Sequence, residues 1–85
     1  MREKNKDKAR LLHIIEAIDN IFEFTNNKTF ETYRQNKMLR FAIIKNLEII
    51  LVHGYYQIRD EIVWATIETD LPPLREKVQL ILKTL

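Results

Sequence analysis

Residues 38–52, MLRFAIIKNLEIILV, read as one helix with almost no water-facing side. Met38, Leu39, Phe41, Ala42, Ile43, Ile44, Leu47, Ile49, Ile50 and Leu51 surround its axis nearly completely. Such a helix is expected to be central and packed on several sides. Its polar strip is narrow and holds Lys45 and Glu48, which at i,i+3 can pair. Asn46 stands outside that strip, projecting between Ala42/Ile49 and Leu39/Ile50. A buried amide must find hydrogen bonds, so Asn46 is either a structural link or a site residue.

On the N-terminal side, residues 5–24 carry Leu11, Ile14, Ile15, Ile18, Ile21 and Phe22 at helical spacing. These fall in an arc of roughly 120°, with His13, Glu16, Asp19, Asn20 and Glu23 expected to face water. Thr25-Asn26-Asn27-Lys28 has no apolar phase and ends the helix. Thr29 can cap a short helix over residues 30–35. On the C-terminal side, Gly54 interrupts the chain, and residues 58–69 are helical with Ile62, Val63, Trp64 and Ile67 inward. Asp70 can cap a last helix, because Pro72 and Pro73 are tolerated only in a first turn. Leu71, Leu74, Val78, Ile81, Leu82 and Leu85 form its apolar face. No strand-like alternation or hairpin turn is present, and the expected fold is an all-α antiparallel helical bundle.

Eighty-five residues make one domain near the small end of what folds alone. Cysteine is absent, so neither a disulfide nor a thiolate metal site staples the fold. Apolar packing must hold it, for which the 46% hydrophobic content is adequate, and a dimer is expected. The net charge of +2 does not by itself select nucleic acid as a partner. Basic residues do crowd the start, with Arg2, Lys4, Lys6, Lys8 and Arg10 around Glu3 and Asp7. They form either a solvated helix beginning or a phosphate-contacting arm. No signal peptide and no apolar run of membrane-spanning length occurs, which leads to an expected cytoplasmic location.

Few residues are equipped for chemistry. His13 and Glu16 could touch a metal together, but no second such pair exists and no metal or cofactor is expected. A single glycine excludes a Gly-rich phosphate loop, and the lack of serine and cysteine removes the two commonest nucleophiles. That leaves His53-Gly54-Tyr55, in the stretch LVHGYY over residues 51–56. Imidazole gives and takes protons near neutrality, and a phenol two residues away could orient a phosphate or a base beside it. Equally, these rings could plug a gap between helices.

The stretches LLHIIEAIDNI at 11–21, RFAIIKNLEII at 40–50 and LVHGYYQIRDEIVWATIETDLPPL at 51–74 resemble the HepT family. These are small helical toxins of the HEPN superfamily. The most specific part is His-Gly-Tyr followed by Asp60, Trp64 and Asp70-Leu71-Pro72. The resemblance implies a HEPN-like fold and a metal-independent RNA endonuclease, acting as a homodimer with its site in the groove between subunits. His53 would be general base or acid, and Tyr55 the second motif residue. The implied partner is a minimal nucleotidyltransferase antitoxin that transfers AMP to Tyr55.

The family pattern separates an arginine from the histidine by four to six intervening residues. Here the arginine positions hold Glu48, Leu47 and Asn46. The nearest upstream cations are Lys45 and Arg40, and Arg59 lies downstream; Asn46, Lys45, Glu48 and Arg59 are the candidate supporting residues. NLEII also runs straight into LVHGYY, where the family pattern continues through a further helix and loop. Either the chain is a shortened homologue, or an internal segment of roughly thirty residues belongs between Ile50 and Leu51. The second is preferred, because no capping residue or turn separates the central helix from the motif.

Overall fold

A computed structural model describes residues 2–50 and 59–85. Among them all regular structure is helical. Helix α1 is Arg2–Thr25, α2 is Phe30–Gln35, α3 is Lys37–Ile50, α4 is Asp60–Ala65 and α5 is Leu71–Thr84. A π-helical turn, Thr66–Asp70, joins α4 to α5 without a break.

The first turn follows directly from residue chemistry. Thr25 folds its hydroxyl back onto the carbonyl of Ile21, and Asn27 takes the left-handed backbone at φ 59° that asparagine tolerates. Thr29 then caps α2, its side chain accepting from the amide of Thr32, as the sequence leads one to expect. Asn36 does the same for α3, accepting from the amide of Leu39 at 2.9 Å, a cap not anticipated from the sequence. The guanidinium of Arg40 donates to the carbonyl of Arg34 and ties α3 to the end of α2.

The core is one cluster. Ile18 and Ile21 from α1, Tyr33 from α2, and Ile43 and Leu47 from α3 meet Val63, Ile67 and Leu71 from the C-terminal rod. All eight are almost wholly shielded from solvent. Helix α1 packs on both α3 and α5, so its apolar stripe is the seam of the bundle. Cross-links set the register: Asn20 meets Asn46 on α3, and Asp19 meets Arg75 on α5. Trp64 of α4 reaches the rings of Phe30 and Tyr33, beyond the C-terminal end of α1. Both α3 and the C-terminal rod therefore run antiparallel to α1, and parallel to each other. From these contacts, at about 1.5 Å per residue, Ile50 and Asp60 lie roughly 25 Å apart along the bundle axis. The long dimension of 46 Å agrees with this stacking.

Several expectations are corrected. The central helix is not covered all round: Met38 is 83% exposed and Phe41 60%. Both lie on the same side of α3 as Lys45 and Glu48, opposite Ile43 and Leu47, and no described helix packs there. The Lys37 ammonium sits 5.7 Å from the Phe41 ring and covers part of it. Lys45 and Glu48 form no ion pair with each other among the described residues. Asn20 does not face water, because it is half-buried against Asn46.

Two corrections concern the C-terminal rod. Ile62, expected inward, is exposed, since it lies a quarter-turn from the buried Val63. Ile81 at the edge of the apolar arc, and Leu85 at the chain end, are exposed as well. Asp70 caps nothing: its backbone is helical at φ −93°, ψ −36°, and its side chain makes no capping bond. The prolines still act, by another route. Pro72 and Pro73 have no N–H to give, and their rings crowd the carbonyls one turn back. The backbone widens there, with the Leu71 amide reaching back five residues to the Thr66 carbonyl.

Candidate functional site

Helix α3 carries three of the six candidate residues. Lys45 and Glu48 are exposed on its open side, with no described partner. Asn46 points the other way. Its amide donates to the carbonyl of Ala42 at 2.8 Å, and its oxygen accepts from the side-chain amide of Asn20 at 3.2 Å. Both bonds are half-buried, and through them Asn46 links α1 to α3.

Arg59 precedes the first turn of α4 with extended backbone and is exposed. It stands at the far end of the bundle axis from the last turns of α3. The structure therefore does not gather Arg59 with Lys45, Asn46 and Glu48. Arg40, the other upstream cation, donates to the Arg34 carbonyl. His53 and Tyr55 lie outside the described residues.

One feature missed at the sequence level is an aromatic group at the α2–α4 contact. The Tyr33 ring lies 5.6 Å from Trp64 and 6.4 Å from Phe30, and Phe30 lies 6.2 Å from Trp64. Phe30 and Trp64, with Glu61, Ala65 and Glu68, line an open cleft of about 270 Å³. The spacing of Phe30 and Tyr33 at i,i+3 is the signal that could have found it. Two carboxylates at an apolar floor repel phosphate, so this cleft is a poor seat for a nucleic-acid backbone. The Asp19–Arg75 pair joins α1 to α5 at 2.7 Å and raises the Arg75 pKa, chiefly through the hydrogen bond. Both partners are partly solvent-accessible, so the pair sets register more than it stabilises. Among the described residues no three His, Asp or Glu side chains come together in a way that could hold a metal ion.

Comparison with known proteins bears on the undescribed motif. A family model, "Ribonuclease HepT-like", matches residues 50–81, a span that includes His53, Gly54, Tyr55 and Trp64. Over that span the chain is similar to the HepT-like family. It is 25% identical to "Putative RNase MJ1380" of Methanocaldococcus jannaschii, covering 92% of this chain and 98% of that protein. It is 28% identical to "Probable ribonuclease HepT" of Thermococcus cleftensis, covering 94% of this chain and 99% of the relative. A second M. jannaschii protein, "Putative RNase MJ1216", is 25% identical over 94% of this chain and 90% of its own length. No solved structure matches the chain. The all-α bundle agrees with the fold that the HepT resemblance implies.

The Asn20–Asn46 link generates a direct test. Asn20→Ala and Asn46→Ala should each lower stability by about 1 kcal/mol in urea denaturation. The double variant should lose less than the sum, with a coupling of about 0.5–1 kcal/mol. Strict additivity would show that the two amides do not hold each other.

Proposed function

We propose that this protein is a metal-independent ribonuclease toxin, silenced by AMP transfer to Tyr55 from a minimal nucleotidyltransferase antitoxin. The observation that carries the reading is that His53-Gly54-Tyr55 falls within the span matched by the HepT-like family model. The relatives named as ribonucleases, matched over nearly their full length, support RNA as the substrate. Catalysis then needs only groups a helical scaffold can offer. His53 takes the proton of a ribose 2′-hydroxyl as that oxygen attacks the adjacent phosphorus, or returns one to the departing 5′-oxygen. The phosphorus–5′-oxygen bond breaks, leaving a 2′,3′-cyclic phosphate and a 5′-hydroxyl. A cation is required for the charge that builds on the phosphoryl oxygens. The working form is a homodimer with its site between subunits, located in the cytoplasm.

Silencing uses the second motif residue. The Tyr55 oxygen bonds to the α-phosphorus of a nucleoside triphosphate, its proton is lost to solvent, and pyrophosphate leaves. The adenylylated ring then puts bulk and negative charge where RNA phosphate must sit.

The cation is the weak point, because Asn46, Leu47 and Glu48 occupy the arginine positions. An internal segment between Ile50 and Leu51 would supply it. Three observations favour such a segment. The alignments to relatives run over 107–109 positions, at least 22 more than the 85 residues of this chain. Ile50 and Asp60 lie roughly 25 Å apart along the bundle axis, a gap that the descending helix of an up-and-down bundle would span. The open side of α3, with Met38 and Phe41 exposed, is apolar surface of the kind another helix covers. The natural gene product is therefore expected to have an intact mass well above the 10.3 kDa of these residues. A mass matching that value makes the chain a shortened homologue.

The arginine gap also favours a second reading, a catalytically inactive helical module that dimerises or engages the nucleotidyltransferase without cutting RNA. Expression toxicity separates the two. His53→Ala should abolish toxicity, with a cleavage-rate loss of about 10²–10⁴-fold, while the helical circular dichroism stays unchanged. Toxicity retained in that variant would remove His53 from the chemistry.

A further inference from the structure

The charge of this protein is distributed unevenly along its long axis. Residues 2–10 hold five cations against two acids, a local net of +3 that exceeds the +2 of the whole chain. Residues 59–70 hold Asp60, Glu61, Glu68 and Asp70 against Arg59, a local net of −3. The fold puts these segments at opposite ends. Trp64 packs on Phe30, beyond the C-terminal end of α1, whereas residues 2–10 are its N-terminal turns.

Helix α5 adds to the basic end. The Asp19–Arg75 contact fixes α5 antiparallel to α1. Eight residues on from each, the two helices reach Leu11 and Lys83, so Lys83 stands level with the last of the basic run. Lys6, Lys8, Arg10 and Lys83 are all exposed, and none forms an ion pair among the described residues. On α1, Lys6 and Arg10 share one side at i,i+4, and Lys8 points to the other. The run therefore offers cations on two sides of one helix. Its apolar content up to Arg10 is Ala9 alone after Met1, too little to insert into a lipid surface.

We propose that this end of the bundle, formed by Lys6, Lys8 and Arg10 of α1 with Lys83 of α5, is a clamp for the phosphate backbone of RNA. It holds the strand at a distance from the scissile bond, while the acidic end repels the strand and so orients it. The proposal rests on the ribonuclease reading and assigns to it a docking surface separate from the His53 motif.

The test uses the full chain and a fluorescein-labelled 2′-O-methyl RNA of about twenty nucleotides, which cannot supply the attacking hydroxyl. Four phosphate contacts on a single strand give a log–log salt slope of about −2.8, or about a 50-fold affinity loss between 50 and 200 mM salt. The variant K6Q/K8Q/R10Q/K83Q should lose most of that slope and bind at least tenfold more weakly at 50 mM salt. The variant E61Q/E68Q should bind no more weakly than the parent. Cleavage of unmodified RNA is followed in parallel. If the parent cuts RNA but the quadruple variant binds with unchanged affinity and slope, the clamp is wrong while the ribonuclease reading stands. If the parent neither binds nor cuts RNA, both fall. Binding to phosphatidylserine vesicles in place of RNA would assign the basic end to a membrane surface and overturn the proposal.

Discussion

Everything in this fold hangs on the burial of one stripe of α1. Ile18 and Ile21, with Ala17 beside them, are sealed between α3 on one side and the C-terminal rod on the other. No disulfide is available, and the charged cross-link at Asp19–Arg75 is partly exposed, so apolar contact must supply nearly all of the stability. A buried isoleucine removed from such a seam costs about 2–5 kcal/mol, a large share of what a domain of this size has to lose. The polar links at Asn20–Asn46 and Asp19–Arg75 have a different role. They tell α3 and α5 where along α1 to sit, because apolar side chains alone would tolerate a slip by one turn.

That register has a functional consequence. By fixing α3 and the C-terminal rod parallel to one another, it separates the end of α3 from the start of α4 by about half the bundle length. The candidate residues Lys45, Asn46 and Glu48 are thereby parted from Arg59. The same register brings Lys83 level with the basic turns of α1 and sends the carboxylates of α4 and the π turn to the other end. Charge and connectivity are both consequences of how one stripe of isoleucine is covered.

Much of the fold was legible in the sequence. The 3.6-residue spacing of Leu11, Ile14, Ile15, Ile18, Ile21 and Phe22 marks the buried side of α1, and Thr29 marks the start of α2. What could not be read depends on neighbours far away in the chain. Met38 and Phe41 are apolar, yet exposure is decided by whether another helix arrives, and periodicity does not report that. Asn20 looked solvent-facing because its partner is 26 residues away. Asp70 before two prolines has the form of a cap, but the chain instead relieved the prolines by widening into a π turn, keeping α4 and α5 one rod. For the site, the resemblance at His53-Gly54-Tyr55 reappeared as a family-model match over residues 50–81, while the roles given to those side chains stand as proposals.

The chemical claim reduces to whether an imidazole on a small helical scaffold, working without a metal ion, cuts RNA. The most direct measurement is incubation of purified full-length protein with tRNA and mRNA in excess EDTA, followed by analysis of the fragment ends. The account predicts cleavage under chelation, with 2′,3′-cyclic phosphate and 5′-hydroxyl termini. Intact RNA after prolonged incubation, or cutting that returns only when a divalent cation is restored, would contradict it.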